Sequence, residues 1–283
     1  MPRPLIDLHR KIKDTLRHTR PMSREAAVPF AHYQDAIAGQ WGLLRYVHDN
    51  FKKLSLSKTA LNSHLAQLNS MLLIHLIESF ERLLKELAAV CVDVLAPCIL
   101  DDRFNVFRLQ GSALAAHFEE ETIGKSLCES STWLDCDEIN DRFRKLLKDP
   151  FTDGGDFTLF KKHPAAFRAR YDTLSLVWQL RHTMVHNVGV ITHSDAVKLR
   201  LFARENVQAK EVLSPTKDDL RYLKRFLDET AAECNKQIGD RLAELLTTLH
   251  QDNPSLFAPR DIADQISRVF GFALTVDGVV GTP

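Results

Sequence analysis

The chain has 283 residues, 45% hydrophobic and 26% charged, which fits a folded globular protein and argues against a disordered or fibrous one. Its 37 basic and 37 acidic residues cancel, which argues against coating of nucleic acid by bulk charge but leaves a local basic surface open. The five cysteines are odd in number and form no CxxC pair, so a disulfide framework or zinc ribbon is not expected and a reducing cytoplasm is.

Residues 1–30 read as a basic arm, in which residues 1–24 carry Arg3, Arg10, Lys11, Lys13, Arg17, Arg20 and Arg24 against Asp7 and Asp14. A solvated terminus explains such a run more simply than a nucleic-acid-binding one does. No apolar segment follows it, so no secretory leader is read. Residues 31–250 read as one helical domain with an irregular insertion at about 97–163, and residues 251–283 as a C-terminal extension.

A first helix is predicted over about 31–53. A second begins after Ser57, whose hydroxyl can cap it, and carries Leu61, Leu65, Leu68, Leu72, Leu76 and Leu83 until Pro97 stops it. The most apolar stretch, Met71 to Leu100, is broken by His75, Glu78, Glu81, Arg82, Lys85 and Glu86. A membrane span needs roughly 20 apolar residues, so this is a core helix and no membrane association is expected. Two shorter helices fit about 112–127 and 137–147, and Asp153-Gly154-Gly155-Asp156 signals a turn. Pro164 suits the start of the next helix, which runs to about His186 with Asn187 and Gly189 as its stop. Val188, Val190 and Ile191, then Val197, Leu199 and Leu201, suggest short extended pieces or a hairpin over 188–213. Ser214-Pro215-Thr216 then opens a long last helix to about Leu249, and an amphipathic stretch follows from Ile262 to Phe272. The fold class is all-α: a helical bundle with one irregular insertion and a short extended segment after the helix at 164–187.

That helix carries the chemical signal. At about 100° per residue, Phe167, Leu174, Val177, Trp178, Leu180, Met184 and Val185 share a broad apolar arc with Arg181 near its middle. A guanidinium keeps its charge, so one set among apolar residues needs a carboxylate, a phosphate or a subunit boundary. His182 and His186 lie together at the polar edge of the arc. As an HxxxH pair they could bind zinc, but Thr183 stands where the metalloprotease motif has glutamate, and no third ligand is apparent. His186 falls in the last turn, where free carbonyls favour a protonated ring suited to acid or base work. On the second helix, Glu81 is the acid nearest the apolar arc of Leu73, Ile77, Leu84 and Ala88, with Glu78 further round towards solvent. Glu81 is therefore the expected partner of Arg181, and a solvated helix-edge glutamate is the equally simple alternative.

Arg181-His182-Thr183-Met184-Val185-His186 resembles the arginine–histidine signature of the HEPN superfamily, and Asn187-Val188-Gly189 resembles the continuation common after it. Ile77 to Leu87 is similar to that family's earlier helix, which carries an acidic residue on an apolar surface. The resemblance covers roughly residues 31–250 and does not account for the basic arm, the detail of the insertion at 97–163 or the C-terminal stretch. It implies an endoribonuclease that needs no metal or other cofactor and works as a homodimer with two motifs facing each other. Arg181 and His186 are then the catalytic pair, and His182, Glu81, Asn187 and Glu78 support them. Similar proteins act as toxins or in defence against phage, and an antitoxin or regulatory partner, where one operates, is a separate polypeptide. Two other readings use the same residues: a non-catalytic HEPN-like module that binds RNA or nucleotide, and a helical adaptor with a structural arginine–glutamate pair.

Overall fold

The computed structural model describes residues 28–51, 53, 57–98, 122–129, 133–151, 157–162, 170–203, 206–255 and 259–272. The basic arm, the turn at 153–156, Pro164 and the last residues of the chain lie outside these.

The fold is organised by a 38-residue helix. Helices α1 (Pro29–Phe51) and α2 (Lys58–Leu95) come first. Ser57 caps α2 by accepting a hydrogen bond from the Ala60 amide at 3.2 Å, which satisfies one of the helix's free donors. Leucines at helical spacing leave α2 buried along most of its second half, with Ile77, Phe80, Leu84, Leu87 and Ala88 among its fully covered residues. A segment so enclosed must be wrapped by other elements, and α1, α3 (Ile123–Glu129), α5 (Arg170–His186) and α7 (Lys217–Asp252) all pack on it. Between α3 and α5 lies α4 (Cys136–Leu146), capped by Asp135 through the Asp137 and Glu138 amides.

Helix α3 sits against α2 so closely that a Cβ on Gly124 would come 2.0 Å from the Ala89 carbonyl oxygen. The Gly124 amide instead donates to Asp93 at 2.7 Å. The final helix, α8 (Pro259–Phe270), buries Ile262, Ile266 and Phe270 in the same core, and Asn235 of α7 donates to the Phe270 carbonyl at 2.9 Å. Among the described residues no helix is long and apolar enough to cross a membrane.

The segment after α5 departs from the sequence reading. Its two ends pair: Val190 and Val212 form an isolated antiparallel bridge, supported by Ile191 N–H to Glu211 O at 2.9 Å and Lys210 N–H to Ile191 O at 2.8 Å. Between them, however, runs a helix, α6 (His193–Ala203), where extended pieces were expected. Thr192 and Asp195 explain it. The Asp195 amide donates to the Thr192 hydroxyl at 3.1 Å, and the Thr192 amide donates back to the Asp195 carboxylate at 3.1 Å, a reciprocal cap. Ala196 and Leu199 are buried at helical spacing, while Val197 and Leu201 face outwards.

Candidate active site

Helix α5 is buried from two sides. Leu174, Val177, Trp178 and Met184 face the main core, and Trp178 stacks on Phe80 of α2 with ring centroids 5.9 Å apart. Gln179 and Thr183 are also buried, on the side that meets α6. The remaining sector exposes His182, Val185 and His186. The breadth of the apolar arc is thus used within the chain itself: Leu174 and Trp178 are covered, and Val185 alone of the three residues beyond one core face is exposed.

Arg181 lies on the inward face but near its solvent end, with 19% of its side chain exposed. Its acidic neighbour is Glu78, at 3.6 Å, and not Glu81. Glu81 pairs instead with Lys85 on its own helix at 3.2 Å. By burial the two acids rank as their angular positions on the helix predict, at 13% exposed for Glu81 and 41% for Glu78. The partner nevertheless differs from the expected one, because Arg181 reaches α2 from the rim of the bundle, where the more exposed acid stands. The second Glu78 oxygen lies 3.4 Å from His75. His75 is thereby brought to the site, although nothing in its local sequence distinguishes it from a solvated helix histidine. The buried Arg181 Nε has no hydrogen-bond partner among the described residues.

The His182 and His186 rings stand 4.7 Å apart at their centroids, tilted by 47°. Immediately after them the chain turns sharply. The Asn187 and Gly189 amides both donate to the Thr183 carbonyl at 3.1 Å, and the residue between them, Val188, is left-handed at φ +51°. A β-branched residue there costs about 1–2 kcal/mol, so the surroundings must impose it. Gly189, at φ +79°, takes the next left-handed position without that cost.

The Asp195 carboxylate organises this turn. It accepts from Gln179 Nε2 at 2.9 Å, Asn187 Nδ2 at 2.7 Å and the Thr192 hydroxyl at 2.8 Å, besides the Thr192 amide. Burial pushes its pKa up, but the Thr192 and Asn187 hydrogen bonds and the charge of His182 outweigh this and hold it below the usual aspartate value. Asn187 thus holds the turn through Asp195, a residue that the sequence reading did not single out. The pattern Thr192-x-x-Asp195 was its signal, a helix-start motif set in a run of β-branched residues.

Other chemistry is poorly supplied. Burial raises the Cys91, Cys128 and Cys234 thiols well above the ordinary value and pushes Cys136 up to about 12, so none is a thiolate near neutral pH. Among the described residues no group of three or more His, Cys, Asp or Glu side chains could hold a metal ion. A cavity of about 270 Å³ between α1 and α2, lined by residues including His32, Gln40, Ser79, Arg82 and Glu86, contains no residue of α5. What α5 offers is a largely buried cation and two exposed imidazoles on one helix, residue types suited to an anionic substrate that exchanges protons. No known protein family, curated protein or solved structure matches this chain.

Proposed function

We propose that the protein is a metal-independent endoribonuclease of HEPN type that acts in the cytoplasm, as a toxin or antiviral effector, with Arg181 and His186 as its catalytic pair. One observation carries the reading: Arg181 is largely buried, its Nε has no hydrogen-bond partner among the described residues, its contact to Glu78 is long at 3.6 Å, and the same helix exposes the His182 and His186 rings. A guanidinium with unused donors in a partly dry setting is suited to meet a phosphate. The RNA 2′-OH attacks the adjacent phosphorus, the 5′-oxygen leaves, and the products are a 2′,3′-cyclic phosphate and a 5′-OH. Arg181 stabilises the charge that grows on the phosphoryl oxygens. His186 moves the proton, as base at the 2′-OH or acid at the leaving oxygen, and His182 orients it or contacts phosphate. DNA lacks the attacking hydroxyl and is spared.

The helix geometry favours two copies. Arg181 and His186 are five residues apart, hence about 140° around the helix and about 7.5 Å along it. Side chains so divergent address one phosphate poorly from a single helix, whereas a second copy can bring its histidine to the first copy's arginine. Incubation of purified protein with total RNA and EDTA, beside His186→Ala, tests the proposal. Cleavage to cyclic-phosphate ends in the wild type alone supports it, and equal cleavage in both removes His186 from the chemistry.

The Arg181–Glu78 contact favours one second reading, a helical adaptor in which this pair is structural. That reading requires Glu78 to matter for stability, which an unfolding measurement decides.

A further inference from the structure

Neither the His182 nor the His186 ring is held by a hydrogen bond to any described residue, so the direction of both depends on the backbone beneath them. That backbone has two anchors. Gln179 lies three residues before His182, Asn187 lies directly after His186, and both side chains donate to one buried carboxylate, that of Asp195. A reciprocal helix cap needs only the Thr192 contacts of this aspartate. The bonds from Gln179 and Asn187 are additional, and they enclose the segment that carries the two histidines.

We propose that Asp195 is a positioning residue for the α5 histidines: its carboxylate, gripped by Gln179, Asn187 and Thr192, fixes the left-handed turn after His186 and thereby aims both rings. Asp195 is 2% exposed, so water does not compete for these bonds. The turn itself needs such a constraint, because a valine at φ +51° with 83% of its surface in solvent has little packing to hold it there. The charge of His182 is also one of the influences that hold the Asp195 carboxyl low, which links the aspartate to that ring. An asparagine at this position has nearly the same shape but turns an NH₂ group towards one set of donors, so the grip fails without a change of volume.

The experiment compares the full-length wild type with Asp195→Asn and, as a milder cut of one anchor only, Asn187→Ala. The first readout is the imidazole C–H NMR signals, those of His182 and His186 being assigned from His182→Asn and His186→Ala. The second is cleavage of a single-stranded RNA, resolved into kcat and KM. The expected result is displaced His182 and His186 signals with the His250 signal in place, and unchanged helical circular dichroism. A misaimed group that acts only in the transition state lowers kcat, here by about 10²-fold, and leaves KM near the wild-type value. Should Asp195→Asn fail to fold, Asn187→Ala decides alone. Ring signals in place in the folded variants overturn the proposal, as does an unaltered kcat.

The inference rests on the nuclease reading for its kinetic readout only. Displaced rings in a protein whose wild type cuts no RNA uphold the positioning role and remove that reading. Rings in place in an active nuclease do the reverse.

Discussion

Arg181 meets Glu78 at 3.6 Å, while Glu78 offers its other oxygen to His75 at 3.4 Å. The carboxylate is shared, part-exposed and beyond hydrogen-bond length from the guanidinium, so the pair contributes little, about 0–1 kcal/mol. Glu78→Gln is accordingly expected to shift the unfolding free energy by less than about 1 kcal/mol in a urea titration. It also removes the negative charge beside Arg181, so thermal stabilisation by inorganic phosphate should increase. A loss of several kcal/mol would instead mark the pair as structural and support the adaptor reading.

Arg181→Ala and His186→Ala should each reduce RNA cleavage by at least about 10²-fold, the usual scale for losing a charge-stabilising donor or a general acid–base group. Arg181→Lys should not restore activity, because a point charge lacks the planar fork that meets two phosphoryl oxygens. Initial rates in EDTA, with circular dichroism confirming the helices, provide the check. Wild-type rates in both alanine variants would end the catalytic assignment.

The long helices were legible because their signals agree at every level. The periodic leucines of α2 and the Ser57 hydroxyl point to the same boundaries, and α7 follows Thr216, which caps it in a box with Asp219. Helix α6 was hidden because Val190, Ile191, Val197, Leu199 and Leu201 alternate in a way that suits a strand. The two ends of the segment do pair, and only the cap at Thr192 and Asp195 converts the middle into a helix. Arg181 stands out in the sequence because an arginine on an apolar arc conflicts with its surroundings, and His186 because it falls in the last turn of the same helix. Glu78 reads from the sequence only as a supporting acid. That it, and not Glu81, meets Arg181, and that His75 joins it, could not be read, since which acid meets Arg181 depends on where two helices cross, and spacing along one helix does not contain that. The Thr192-x-x-Asp195 pattern signals the α6 cap but not the Asp195 hub, whose further donors come from α5 and the turn and are brought together only by tertiary structure.

The depressed Asp195 pKa has a consequence for acid stability. A carboxyl whose native value lies below its unfolded value of about 3.9 adds stability that is fully present above that pH. The contribution is lost as pH falls through the native value. Acid unfolding followed by circular dichroism should therefore steepen below about pH 4, and the limb should be shallower in Asp195→Asn. An identical acid limb in that variant would show that the carboxylate gains nothing from its four hydrogen bonds.

Gly124→Ala tests the contact between α3 and α2. Alanine normally favours a helix over glycine by about 1 kcal/mol, but here its Cβ would meet the Ala89 carbonyl oxygen at 2.0 Å. The obstacle is backbone, so α3 must move and the Gly124–Asp93 hydrogen bond must lengthen. A net destabilisation of about 1–3 kcal/mol is expected in urea unfolding, the range of an overpacked core. A more stable variant would contradict this packing.

Val185, Val188, Val190 and Val212 are exposed around the C-terminal end of α5, next to His182 and His186. Isolated apolar residues on a surface need no explanation, but four valines placed at the end of one helix and its adjoining bridge form a patch. A second copy is the occupant that the proposed chemistry requires, because a two-fold contact here brings two α5 ends together and doubles the arginine and histidine set. Light scattering at micromolar concentration should give the mass of a dimer for the wild type. Val188→Asp, which places a charge on the patch without touching Arg181 or His186, should give a monomer and lose cleavage together with the dimer. The left-handed backbone at Val188 accepts aspartate more readily than valine, so the variant should stay folded. A wild-type monomer with full activity would rule out the shared site, and the chemistry would then have to be completed from one helix.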